Sequence, residues 1–462
     1  MMSELLSPAG SLKNMRYAFA YGADAVYAGQ PRYSLRVRNN EFDMPTLALG
    51  IDEAHSLGKK FYVVSNIAPH NGKLTTFIKD MTPVIQMRPD AVILSDPGLI
   101  MLVREHFPDM PVHLSVQANA INWATVKFWH QQGIERVILS RELSLDEIEE
   151  IRFRCPEVEL EVFVHGALCM AYSGRCLLSG YINKRDPNQG TCTNACRWQY
   201  SAHPASETET GDIIATAPVG LYLPEAQAAT SAPRDEIFLL QEQGRPGEYL
   251  PTFEDEHGTY IMNSKDLRAV EHVERLVKMG VHSLKIEGRT KSFYYCARTA
   301  QIYRQAIDDA MQDRGFNPAL AKSLEHLAHR GYTEGFLQRH RHQDMQNYDH
   351  GHSRSDSQQF VGEVLGRNAL GLVEIEVKNK FLVGDRLELM TPEGNLSFTL
   401  TRMQSAKGEA IEDAKGAGYK VAIALETELN LAYGILMRYL TPEHSAPEPA
   451  GQSLPQGQQG GR

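Results

Sequence analysis

No run of about 18 apolar residues occurs anywhere in the sequence, so it offers no helix long and apolar enough to cross a membrane. The opening stretch, MMSELLSPAG, lacks both a basic n-region and an apolar h-region. A signal peptide is therefore not expected, and the cytosol is the expected compartment. Positive charge is in short supply: 47 Lys and Arg stand against 57 Asp and Glu, a net charge of −10. That balance argues against a nonspecific nucleic-acid coat. No HExxH zinc-protease motif is present, and SPAGS, after the first strand-like run, is a poor match to a glycine-rich phosphate loop. Cysteine is scarce at six residues, which in a reducing compartment read as metal or redox groups where they cluster.

What is present is ordinary globular composition, 42% hydrophobic and 23% charged, over 462 residues. That length suggests two to four domains, or one large barrel with an appendage. Through about residue 165 a short aliphatic run, a Gly/Pro or polar break and a helical stretch recur. Strand-like runs fall at Glu4–Ser7, Ala25–Gly29, Phe61–Asn66, Ala91–Asp96, His113–Gln117, Arg136–Arg141 and Leu160–Gly166. Amphipathic stretches lie between them, and Ser144 with Glu147 reads as a capping box. An eighth unit comes late, with SLKIEG at Ser283–Gly288 and a helix over Lys291–Met311. Alternating strands and helices imply parallel βα units, and eight of them imply a (β/α)8 barrel. Residues 1–345 are assigned to that barrel, 166–200 to a cysteine-bearing loop, and 201–258 to an irregular surface insertion. Short strands without helices predict an all-β barrel domain over 346–441, and the Pro/Gly/Gln-rich stretch 442–462 reads as a disordered tail.

Four cysteines fall within 28 residues, Cys169, Cys176, Cys192 and Cys196, spaced C-x6-C-x15-C-x3-C. Four thiolates can close a tetrahedral zinc site or hold an iron–sulfur cube. The wide first spacings favour the larger object, and zinc is the alternative. The loop follows a barrel strand, on the face where such barrels place their chemistry. Cys155 and Cys296 lie in helical stretches, where free cysteine packs as a small apolar residue.

The stretch Glu161–Ser179 resembles the signature of the collagenase-like peptidases, the thirty-second unclassified peptidase family. The likeness extends to ELLSPAGSLKNMRYAFAYGADAVYAG, LSVQANAINWATVKFW, NKRDPNQGTCTNACRW, YIMNSKDLRA and LKIEGRTKSFYYCARTAQIYR. It is strongest toward members that hydroxylate tRNA. That resemblance implies oxygen-independent 5-hydroxylation of the wobble uridine in the anticodon loop, with prephenate as co-substrate and a [4Fe-4S] cluster. The implied cluster ligands are Cys169, Cys176, Cys192 and Cys196. Other members act on a ribosomal RNA cytidine or on ubiquinone precursors, so those substrates remain alternatives. Proteolysis fits the residues badly: His165 stands four residues from Cys169, but four clustered thiols are redundant for one nucleophile. A zinc-stabilised RNA-binding protein is the noncatalytic alternative.

Polar residues just past the strands are site candidates, among them Ser7, Asp96, Arg141, His165, Lys285, Glu287 and Arg289. Ser7 before Pro8 and Asp96 before Pro97 read as caps or turns. Arg141, Lys285 and Arg289 would set three cations at one rim, costly without an anionic partner. Prephenate carries two carboxylates, and Arg141 with Arg289 is expected to hold it. His165 reads either as a proton donor or cluster-tuning group or, equally, as a satisfied structural histidine. For RNA, residues 30–40, 166–200 and 283–304 together carry +10 against −20 on the remainder. Tyr33, Tyr294 and Tyr295 lie among those cations as candidate stacking groups, and Arg298 and Arg304 read as a solvated helix face.

Overall fold

The computed structural model of the chain describes residues 3–34, 41–67, 69, 71–167, 171–172, 175–176, 200–207, 213–215, 237–242, 249–255, 258–261, 265–329, 331–338, 357–416 and 418–440. Seven parallel strands come first: β1 (Glu4–Pro8), β2 (Ala25–Gly29), β3 (Lys60–Val64), β4 (Ala91–Leu94), β5 (Val112–Leu114), β6 (Arg136–Ile138) and β7 (Glu159–Ala167). The helices between them are α1 (Leu12–Ala20), α2 (Met44–Ser56), α3 (Asn71–Gln86), α4 (Pro97–His106), α5 (Trp123–Gln131) and α6 (Leu145–Arg154). Five of the six start at a capping side chain. Ser11, Asp43, Asp96, Asn122 and Ser144 all accept a hydrogen bond from a first-turn backbone N–H, and Ser144 with Glu147 forms the expected capping box. Ser7 is neither cap nor turn but a buried member of β1.

After β7 the chain leaves the barrel. The hairpin strands β8 (Ala171–Tyr172) and β9 (Arg175–Cys176) pair antiparallel, and a separate antiparallel sheet follows. Its strands are β10 (Tyr200–Glu207), β11 (Ile213–Ala215), β12 (Ile237–Glu242), β13 (Tyr249–Asp255) and β14 (Gly258–Ile261), in the order β11-β10-β12-β13-β14. The insertion read as irregular therefore holds strands. Runs such as IFLLQE and YLPTFED are short and set among Pro, Gly and Glu, which masks their alternation. β15 (Asp266–Arg268) then runs antiparallel to β7, Arg268 facing His165. It is followed by α7 (Val273–Lys278), β16 (Ser283–Ile286), α8 (Phe293–Met311), α9 (Pro318–Leu324) and β17 (Tyr332–Thr333), which pairs with β15.

β16 closes the barrel. It pairs parallel with β1, Leu6 opposite Lys285, and parallel with β7, Lys285 opposite Phe163. The result is an eight-stranded parallel barrel with helices between the strands, the (β/α)8 architecture expected from the sequence. An aliphatic and aromatic layer fills the interior: Leu6, Ala25, Tyr27, Tyr62, Val64, Ile93, Ile138 and Phe163 are packed together and buried.

Contact between elements divides the chain into two compact units, with the boundary at Arg354/Ser355 and residues Thr391–Glu393 grouped with the first. The second unit is antiparallel and all-β, an eight-stranded sheet with its own core of Val361, Val373, Ile375, Phe381, Leu389, Met403, Ile423 and Leu436.

Candidate active site

The face at the strand C-termini is where loops converge in such barrels. There β6 leads into Arg141, and β16 into Glu287 and Arg289. Arg141 Nη2 donates to Glu287 Oε2 at 3.0 Å, and its guanidinium carbon lies over Phe163, 3.7 Å from the ring centre. Arg289 Nη1 donates to the buried Ser34 hydroxyl at 2.7 Å, and its guanidinium lies 5.8 Å from the Tyr27 ring. Glycines permit this crowding. A Cβ on Gly10 would overlap the Arg289 carbonyl oxygen, and one on Gly29 would meet Ser34 Oγ and Arg289 Nη1. Below the rim, Lys285 Nζ lies 4.1 Å from the Tyr27 ring centre and 2.7 Å from Glu161 Oε1. The Tyr27 hydroxyl donates to the Ile286 carbonyl at 2.9 Å.

Two of the three cations expected at one rim in need of an external anion are paired within the chain. Arg141 has Glu287 and Lys285 has Glu161, each a carboxylate of the chain itself. Together the two guanidiniums and the Glu287 carboxylate ring a mouth above the buried Tyr27 and Phe163 side chains, a charge pattern suited to a small carboxylate ligand. Burial pushes the Tyr27 phenol well above its ordinary range, so it stays a neutral donor.

His165 is placed elsewhere. The register slips between β7 and β16, Lys285 pairing with Phe163 and Ile286 with His165, so Val164 is a bulge. The imidazole packs among Tyr295, Tyr303 and Tyr332, with Nδ1 3.3 Å from the Tyr303 hydroxyl. Burial and the nearby Arg268 lower its pKa to about 3, so the ring is neutral. Gly166 follows at φ +104°, where a Cβ would strike the Glu287 backbone.

Three RNA-facing expectations are overturned. Tyr33, Tyr294 and Tyr295 are buried: Tyr33 packs edge-on to Phe77 and donates to Asp80, and Tyr295 donates to the Glu287 carbonyl. They cannot stack on a base. Arg298 is not solvated but among the largest fully buried side chains, and Arg304 is held by Asp24 and Asp308. Tyr294, Tyr295, Arg298 and Arg304 lie on α8 and Tyr33 in the turn after β2, and in these places the side chains are taken up by contacts within the fold. Of the cluster residues, Cys176 ends β9, while Cys169, Cys192 and Cys196 lie outside the described residues. Cys155 and Cys296 are free and buried, as expected of packing thiols, Cys155 as the C-cap of α6 rather than within it.

The barrel also encloses a polar network not expected from the sequence. Arg136 Nη1 contacts Glu4 Oε1 at 2.6 Å and Glu161 Oε2 at 3.3 Å, and its Nε donates to Glu159 at 2.8 Å. Tyr62 and Ser283 donate to Glu4. The available signal was a charged residue in a strand buried on both faces, as in LEVFV and SLKI.

Residues 10–347 match the model of peptidase family U32, and residues 356–438 match that family's C-terminal domain. The chain belongs to peptidase family U32. Its relatives include a "tRNA hydroxylation protein P" of Escherichia coli, 68% identical over 95% of this chain and 97% of that protein. The Haemophilus influenzae protein of the same name is 65% identical over 95% and 96%. A 23S rRNA 5-hydroxycytidine synthase of Escherichia coli is 29% identical over 86% of this chain and 53% of that protein.

Proposed function

We propose that this chain is a tRNA-hydroxylating enzyme that acts on C5 of the wobble uridine in the anticodon loop, without dioxygen, using prephenate as co-substrate and a [4Fe-4S] cluster. The observation that carries the reading is the 68% identity, along nearly the whole of both chains, to a tRNA hydroxylation protein. The rRNA-directed alternative rests on a relative less than half as similar in identity.

The donor set fits the cluster. β7 leads from the barrel mouth into the β8–β9 hairpin, so the stretch bearing Cys169 and Cys176 begins at the active face, and all four candidate ligands are thiols. Cys169, Cys176, Cys192 and Cys196 would hold the cluster, which when bound supplies one-electron transfer.

The chain's own residues do the rest. Arg141 and Arg289 bind the two carboxylates of prephenate, with Arg141 exchanging Glu287 for the ligand. Tyr27 and Phe163, both buried, pack beneath the two guanidiniums and hold them at the mouth. Ser34 keeps the Arg289 guanidinium turned inward. Glu287, released from Arg141, is placed to accept a proton at the rim. His165, neutral and enclosed by tyrosines, fixes the end of β7 where the cysteine segment departs.

Two measurements test this. In a strain lacking the gene, tRNA nucleosides should lose 5-hydroxyuridine derivatives, and an unchanged profile would refute the substrate. Protein purified without air should be brown and hold four irons per chain. Colourless protein with stoichiometric zinc would overturn the cluster.

A further inference from the structure

The barrel interior holds a line of alternating charge rather than apolar layers alone. From the strand N-termini upward it runs Glu4, Arg136, Glu161, Lys285. The side chains of Glu161 and Lys285 are 0% and 4% exposed, and that of Arg136 is 4% exposed. Burying four ions costs several kcal/mol each before pairing, so a purely structural core would do better with aliphatic residues. The arrangement is also uneven. Arg136 touches three carboxylates, Glu4, Glu159 and Glu161. Lys285 has the Glu161 carboxylate, shared with Arg136, as its one ion-pair partner among the described residues.

We propose that Glu161 and Arg136 are positioning residues that hold the Lys285 ammonium beneath the barrel mouth as a proton donor to the ligand bound there. Glu161 Oε1 aims the amine, and Arg136 draws on Oε2 and weakens the carboxylate's grip on the Lys285 proton. In the step itself one Nζ–H bond breaks and an O–H bond forms on an oxygen of the bound ligand. The electron pair stays on Nζ, which takes a proton from water after the ligand leaves. Assignment of Lys285 as the donor rests on the proposed reaction, whereas its positioning by Glu161 and Arg136 does not.

Other groups face this amine. Glu287 and Arg289 act on it from the loop after β16, the first favouring the charged form and the second opposing it. Tyr27 on β2 meets it by its ring. His113 on β5, close enough to feel both Arg136 and Lys285, is held neutral by burial and those cations. Burial dominates at Lys285 and lowers its pKa, with Glu161 opposing the fall. Arg136 shows the reverse balance: its carboxylate partners outweigh burial, and it stays charged throughout.

The two neighbours must therefore move Lys285 in opposite directions. Glu161→Gln removes the opposing charge and lowers the pKa; Arg136→Met removes a neighbouring cation and raises it. The readout is the titration of full-length protein carrying 13Cε-lysine, with the Lys285 signal assigned by its absence in Lys285→Arg. A downward shift of about one pH unit is expected for Glu161→Gln and an upward shift of similar size for Arg136→Met. Should Arg136→Met fail to fold, Glu161→Asp replaces it and should restore most of the midpoint lost in Glu161→Gln. Unmoved midpoints, or shifts in one common direction, overturn the positioning. The alkaline limb of the tRNA hydroxylation rate should follow the same midpoints, and a limb that ignores them overturns Lys285 as the donor. Absence of any hydroxylation by the unaltered protein would defeat the functional reading, while the titration would still decide the positioning claim.

Discussion

At the scale of single residues, buried titratable groups set how the fold responds to acid. His165 has its pKa lowered from 6.5 to about 3, and His113 is lowered in the same direction. The unfolded chain therefore binds protons that the native state refuses between these values. Stability from His165 is complete above about pH 6.5 and falls as pH drops toward 3, by about 1.4 kcal/mol per pH unit, and His113 adds a loss of the same sign. Denaturant midpoints measured from pH 7 to pH 4 should show that slope, and His165→Phe should lessen it by one proton. At the mouth, Ser34→Ala removes the hydroxyl that receives Arg289 Nη1. A loss of about 1 kcal/mol in ligand binding is expected, seen as a raised KM for the proposed co-substrate with kcat little changed.

Among elements, the joints matter more than the strands. The loop after β16 rests directly on Gly10 at the end of β1, whose missing Cβ leaves room for the Arg289 carbonyl. Gly10→Ala should push that loop, and Arg289 with it, away from the mouth. The expected signature is a larger loss in kcat/KM than in thermal stability, measured side by side. Ser144→Ala, by contrast, breaks the capping box that starts α6 and leaves the mouth alone. It should cost about 1 kcal/mol of stability with activity retained. The bulge at Val164 belongs to this scale too: it turns His165 toward the tyrosines of α8 and β17, a direction no two-residue alternation forecasts.

Over the whole molecule, the barrel was readable because its strands are buried on both faces and its helices begin at capping residues. AVYAG and AVIL are continuous apolar runs, and Asp43, Asp96 and Ser144 mark helix starts. The candidate site was legible only at its rim, where Arg141, Glu287 and Arg289 follow strand ends. Which charges lie inward, as Glu161 and Arg136 do, or against the wall, as Arg298 does, depends on register and curvature. Charge summed along a segment carries neither. The C-terminal unit, with its separate core, should unfold cooperatively when residues 355–440 are made alone, and calorimetry would show it. Closure of the barrel has a consequence in time. β1 and β7 stay open-edged until β16 joins them, and β7 ends at Ala167 while β16 begins only at Ser283. A ribosome thus delivers most of the barrel, the cysteine segment and the inserted sheet before the final stave arrives. Such long-range parallel pairing makes folding slow and leaves sticky edges meanwhile, so the nascent chain is exposed to aggregation for as long as that last strand is awaited.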